Sequence, residues 1–347
     1  MRQAEALERF VDIVRRRDRA ARMVAWIVDS PWLPGWIGAD TLHFFFDSAT
    51  WMRAYERAQC ELEGSVLIPG GWIELGMAAE PSGFGAPIRW NRTEPPHVRP
   101  HPAGLDAIRH ADPPDPEVDG LKPAILAMYE QRGAAMATAG FPPRIAAARG
   151  PLAIAAHLLG ITEFLLATQT EPEAVRDLLD RTTALCTAWL RAQLARMDRP
   201  VGVLVLDDLV GMLGPADAAQ FAIPYLQRVF GSFPDLVHIF HNDTPNAEVY
   251  EGLRGCGMDV FNFSHAIDPA EARRRLGPDI VLMGNLPPVE LLVQATPEAC
   301  RAAAEALLAR HAELAPMVLS AGGGVSPGTP SDNLRAVIAA TQAAERA

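Results

Sequence analysis

The sequence predicts an α/β fold, a (β/α)8 TIM barrel built as a single domain with an N-terminal helical extension. Two observations carry this. From about residue 143 onward, short apolar runs bounded by turn residues alternate with helical stretches, the pattern of βαβ units and a parallel sheet. A chain of 347 residues also suits one such barrel, which commonly forms a single unit of this size. An open doubly wound sheet is the competing architecture. No GxGxxG follows the first strand and no GxxxxGK[ST] occurs anywhere, so nucleotide cradling finds no support.

Taken in order, residues 4–22 read as an amphipathic helix, with Leu7, Phe10, Val11 and Val14 at i, i+3, i+4 and i+7. Arg15, Arg16 and Arg17 follow as a solvated face. Residues 29–51, rich in Trp, Phe, Pro and Gly, read as irregular packing before a helix near 48–62. Residues 1–62 are thus expected as a helical segment packed on the barrel, and 63–347 as the barrel itself. Residues 65–68 form the first strand candidate, and a weaker one lies within 72–90. Residues 79–120, dense in Pro, Gly, Asp and His, make a long excursion of the kind that often serves as a lid or site wall. Six further runs, at 144–148, 201–206, 236–240, 259–263, 280–283 and 317–320, bring the count of expected strands to eight. Helical stretches such as 171–196, 215–230, 244–255 and 296–311 lie between them.

Composition excludes several classes. The formal net charge is −11, whereas a polyanion binder normally carries a basic excess. Nucleic acid is therefore not expected as a partner. All basic residues are arginines except Lys122, which leaves one amine for any Schiff-base chemistry. Cys60, Cys186, Cys256 and Cys300 are scattered without a CxxC pair, in keeping with a reducing compartment. No apolar run approaches the ~18 residues of a membrane span, and the charged N-terminus lacks a signal core. The expectation is a cytoplasmic protein with a small-molecule substrate and no membrane partner.

If the barrel forms, chemistry sits at the C-terminal ends of its strands. Five polar tails occupy such positions: Asp207-Asp208, His241-Asn242-Asp243, Asn262 to His265, Asn285, and the loop from Ser320 to Val325. Alternation along a strand places His241 on one face with Val237 and Ile239, and His238 on the other, so His238 reads as structural. His241 and Asp243 form an H-x-D pair able to ligate a metal, or a hydrogen-bonded histidine with an N-cap aspartate. Taking Val203 and Val205 as inward points Asp207 into the mouth, as a general base or substrate contact, with Asp208 beside it. The alternative for this pair is a salt bridge or a cap at the following turn. Gly322, Gly323 and Gly324 permit close backbone approach to a ligand, or a tight turn. Trp72, Glu74 and His97 are weaker candidates for the pocket lining.

The pieces GPLAIAAHLLG, TEPEAVRDLLDRTTA, LDDLVGML, FAIPYLQRVF, HND, MGNLPP and SAGGGVSPGTP followed by DN run in order over about two hundred residues. In these the chain resembles the uroporphyrinogen decarboxylase superfamily, and in particular its branch of methylcobamide-dependent methyltransferases. The resemblance implies a (β/α)8 barrel with its pocket at the strand ends, and a homodimer as the common assembly. It also exposes departures. Where true uroporphyrinogen decarboxylases carry an MRQAGRYLPEY-like motif, this chain reads IVDSPWLPGWIGAD. Where the corrinoid methyltransferases hold zinc with HxCG and a later Cys, His241 keeps the histidine, while Asp243 and Gly323 stand at the cysteine positions. Such an H-x-D site is harder and weaker than a zinc–thiolate one and suits an oxygen-rich substrate, a different metal, or no metal.

The reading that follows is a metal-assisted methyltransferase or demethylase acting on a small methylated compound, with zinc or another divalent metal on His241 and Asp243. A corrinoid protein is the candidate methyl acceptor. Asp207 would take a proton or position the substrate, while Asp208, Asn285, Trp72, Glu74 and the glycine loop line the pocket. The alternative is a cofactor-free decarboxylase or lyase of a carboxylated, tetrapyrrole-like substrate, with Asp207 stabilising a protonated intermediate; a non-catalytic binding barrel is a third. The first two readings require Asp207, His241, Asp243 and Asn285 to meet around one cavity.

Overall fold

A computed structural model describes residues 3–346 of the chain. Its eight principal strands are β1 (Ala25–Ile27), β2 (Val66–Ile68), β3 (Ile145–Arg149), β4 (Gly202–Leu206), β5 (Val237–Asn242), β6 (Val260–Phe263), β7 (Val281–Leu286) and β8 (Met317–Ala321). Six form one parallel sheet in the order β8-β7-β6-β5-β4-β3. β1 pairs in parallel with β2 and meets β8 through a bridge between Val24 and Leu319. Among the described residues no ladder joins β2 to β3. The observed architecture is therefore a six-stranded parallel sheet with a two-stranded parallel sheet against its β8 edge, where the sequence predicted a closed eight-stranded ring.

One strand lies elsewhere than expected. Residues 72–90 contribute no parallel strand; Ile88–Arg89 instead pairs antiparallel with His97–Val98. The eighth parallel strand is β1, within the 1–62 segment expected as helical, between the helix of 4–22 and the irregular stretch of 29–51. All three of its residues are buried, so it shows no inside–outside alternation, and its brevity hides it between an arginine-rich helix and a Trp/Pro-rich loop.

Alternation along the longer strands sorts side chains into two layers. Ile27, Ile68, Ala147, Leu204, Leu206, Ile239, Val260, Met283 and Val318 share one interior cluster with Leu7, Phe10, Val11 and Val14 of the helix Gln3–Arg16. That helix lies across the N-terminal end of the strands: Arg15 donates to the carbonyl of Asp235 and Arg17 pairs with Asp259. The opposite faces, including Val203, Val205, Phe240 and Phe261, pack against the surrounding helices, the longest being Pro172–Leu194. With one end of the interior occupied by apolar side chains, the C-terminal end is left for a ligand. Among the described residues no single helix is long and apolar enough to cross a membrane.

Candidate active site

The site is built around His241. It sits on β5 in register with Asn262 on β6, and its Nδ1 lies 2.7 Å from Asn262 Oδ1. Asn262 Nδ2 donates to the carbonyls of Met283 at 2.9 Å and Ala321 at 3.0 Å. Both amide hydrogens are thus engaged, and Oδ1 is left as an acceptor. This network assigns the proton to His241 Nδ1 and leaves Nε2 to face the cavity.

Two carboxylates meet that nitrogen. Asp208 Oδ1 lies 3.5 Å from His241 Nε2 and accepts the amide of Asp243 at 3.2 Å. One donor atom each from Asp208, His241 and Asp243 fall within 4.8 Å of one another. Burial raises the pKa of Asp243; His241 opposes the rise and the negative Asp208 adds to it. An unprotonated imidazole nitrogen facing two carboxylates is electrostatically unfavourable unless a cation or a proton lies between them. Gly323 makes room for the group: its φ is +134°, and a Cβ there would stand 2.7 Å from Asp243 Oδ2.

The opposite wall holds a different ensemble. Asp29, just beyond β1, lines the same cavity of about 250 Å³, together with Arg149 at the end of β3. Asp29 Oδ1 is enclosed without a hydrogen-bond partner, as is Glu74 Oε2. Glu74 Oε1 accepts the amide of Ser30 at 2.8 Å, and Glu80 Oε1 accepts that of Arg149 at 2.8 Å. Burial first, and the neighbouring Glu74 second, push the Asp29 pKa well up, against the pull of Arg149. Burial likewise raises Glu74 and Glu80, with Arg149 opposing both.

The residues singled out from sequence divide accordingly. Asp208, His241, Asp243, Gly323 and Gly324 line the cavity. Asp207 does not. Leu204 and Leu206 are the inward residues of β4, so parity turns Asp207 outward with Val203 and Val205. Its fully buried carboxylate accepts the amides of Leu152 at 2.9 Å and Ala153 at 3.0 Å, at the start of helix Pro151–Leu159. Burial raises its pKa well above normal while those amides pull it down. Asn285 is likewise absent from the lining, and its amide donates to the carbonyls of Ser264 at 3.1 Å and Ile267 at 2.7 Å; of the four residues expected to meet around one cavity only His241 and Asp243 do so, and Asp208 stands there in place of Asp207. Gly322 backs onto His265, and Trp72 and Glu74 sit behind Arg149. His238 has both ring nitrogens against carbonyls, of Gly257 at 2.7 Å and Phe233 at 2.8 Å, and has none free for a ligand. His97 lines a neighbouring cavity.

Sequence reasoning passed over Asp29 and Arg149. Both end apolar runs (VAWIVD and IAAAR), which is the signal that would have found them. Asn262 was visible as a polar strand tail, but its orienting role depends on carbonyls from β7 and β8.

Comparison with known proteins fits this picture. A family model described as Uroporphyrinogen decarboxylase (URO-D) matches residues 72–344. The chain is 35% identical over 170 residues to a uroporphyrinogen decarboxylase of Synechococcus sp. (strain CC9605), covering 47% of this chain and 46% of that protein. It is 29% identical over 180 residues to the corresponding Coxiella burnetii (strain Dugway 5J108-111) protein, covering 50% and 48%. The matched region thus spans about half the length of these curated relatives. Among solved structures, a methyltransferase from Methanosarcina mazei superimposes with a TM-score of 0.80 at 19% identity, covering 96% of this chain and 97% of that one, a likeness of fold.

Proposed function

Given that the chain belongs to the uroporphyrinogen decarboxylase family, an enzyme family of decarboxylases and methyltransferases, we propose that it is a metal-assisted methyltransferase or demethylase acting on a small methylated oxygen or nitrogen compound. Asp208, His241 and Asp243 would hold a divalent cation. The observation that carries this reading is the Asn262–His241 hydrogen bond, which holds the ring by Nδ1 and aims Nε2 at two carboxylates. Two oxygens and one imidazole nitrogen make a borderline-to-hard donor set, fitting zinc or manganese better than a thiolate-loving ion. The set does not reproduce a zinc–thiolate centre, because no sulfur stands at Asp243 or Gly323. When bound, such a cation supplies Lewis-acid polarisation of a substrate heteroatom. The chain's own part is to orient His241 through Asn262, to carry a proton on Asp29, and to leave space at Gly323. The cavity of about 250 Å³ adjoins a second of about 270 Å³, together within the ~300–1,000 Å³ usual for small-molecule sites, which accommodates a small substrate. A corrinoid protein as methyl acceptor belongs to this proposal through the resemblance of the ordered pieces from GPLAIAAHLLG to SAGGGVSPGTP to the methylcobamide-dependent branch.

The test is metal content of protein purified without chelator, followed by titration of zinc and manganese. One bound divalent ion per chain is expected, lost in His241→Ala. A wild-type protein that binds neither ion would remove this reading. A carboxy-lyase is the second reading, favoured by Asp29 and Glu74, which burial biases toward their protonated forms beside Arg149. Its activity would survive EDTA, whereas metal-assisted transfer would not.

A further inference from the structure

A second cavity, of about 270 Å³, adjoins the first. The two share Pro31, Met77 and Arg149 in their linings, so these residues mark a junction. The second chamber is walled chiefly by Pro95, Pro96, Val98 and Met77. His157 also lines it, and burial, then Arg149, pushes its pKa down to about 4, so its ring is uncharged at neutral pH. Arg149 is the one permanent cation among the described lining residues of either chamber.

The guanidinium of Arg149 is underused. Its side chain is only 11% exposed, and its closest carboxylate oxygen, Glu74 Oε2, is 3.9 Å away. Among the described residues it makes no side-chain hydrogen bond, although it carries five N–H donors in a planar fork. It lies 5.6 Å from the centre of the Trp72 ring, which steadies it by a cation–π contact. A nearly buried guanidinium with unmet donors is stabilised by an incoming anion, and a planar carboxylate matches its fork. Asp29, Glu74 and Glu80 lie around it, the pKa of each raised by burial and lowered by Arg149, and none of them accepts a hydrogen bond from the guanidinium.

We propose that Arg149 and the two chambers it joins bind an α-substituted carboxylic acid with an apolar side chain. The carboxylate sits on Arg149, the apolar arm enters the chamber of Pro95, Pro96 and Val98, and the α-substituent, a methylated oxygen or nitrogen, reaches toward Asp208, His241 and Asp243. The last clause rests on the proposed function; the carboxylate site does not need the metal.

The probe is 2-methoxy-2-phenylacetate, whose central carbon carries all three arms, and the control is its uncharged analogue 2-methoxy-2-phenylethanol. Calorimetric titration of the full chain should show the acid binding at least about tenfold more tightly than the alcohol, equivalent to about 1.4 kcal/mol. Arg149→Gln should bring that ratio close to one. Met77→Trp, at a 43% exposed position where folding is not threatened, should fill the junction and weaken both probes. His241→Ala should leave the ratio unchanged while losing metal. Equal binding of acid and alcohol, no binding of the acid, a ratio preserved in Arg149→Gln, or unaltered affinities in Met77→Trp would each overturn the inference. Acid binding with the full ratio in a wild-type protein that takes up no metal supports the carboxylate site and removes the metal reading alone.

Discussion

The two walls of the main cavity hold carboxylates in opposite circumstances. On the β4–β5 side, Asp208 and Asp243 face an imidazole nitrogen whose own proton is held away by Asn262. On the β1–β3 side, Asp29 and Glu74 are enclosed with one unpartnered oxygen each, beside a single guanidinium. The first arrangement suits a cation and the second suits protons. The difference is one of geometry: donors converging within 4.8 Å can share an ion, whereas carboxyls enclosed by burial and repelled by each other are biased toward keeping a proton.

The largest effect should come from a neighbour of both walls that belongs to neither. Asp207→Ala would leave the buried amides of Leu152 and Ala153 without acceptors, destabilising the fold by about 2–5 kcal/mol for two orphaned groups. Urea unfolding should show that loss, while metal affinity of the folded protein stays unchanged. Reduced affinity with unchanged stability would place Asp207 with the chemistry instead. Next, Asn262→Leu should release the ring of His241 and weaken zinc or manganese binding by about 10–100-fold, the usual consequence of losing a ligand's orienting partner. Calorimetry that finds no change would dissolve the distinction between the walls.

A smaller effect concerns pH. The folded-state pKa values of Asp29 and Glu74 lie above their unfolded values, so the folded state binds the extra protons. Their contribution to stability is fully present below the unfolded carboxylate pKa of about 4 and is lost as pH rises through the raised folded values. Glu80 and Asp207 act with the same sign. Urea midpoints of Asp29→Asn should therefore decline less between roughly pH 5 and pH 8, the ordinary stability window, than those of the wild type. A steeper decline would reverse the assignment of protons to this wall.

Much of the architecture could be read from the chain. The apolar runs at 201–206, 236–240 and 317–320 closely match β4, β5 and β8, because parallel strands buried on both faces show as continuous apolar segments. His241 was placed correctly from Val237 and Ile239, its partners in the interior cluster. The same rule misplaced Asp207, since a run as uniformly apolar as VGVLVL does not say which of its faces is inward. β1 was hidden for the related reason that three fully buried residues carry no period.

The order of apolar runs and turns, and the presence of polar residues after them, were properties of the chain alone, since burial and chain reversal leave a local imprint on composition. Which of those polar residues face one another was settled by packing: the inward face of β4, the meeting of Asn262 with carbonyls of β7 and β8, and the approach of Asp29 to Arg149 across 120 positions of sequence. Such contacts join strands distant along the chain, and no local pattern of residue types encodes them.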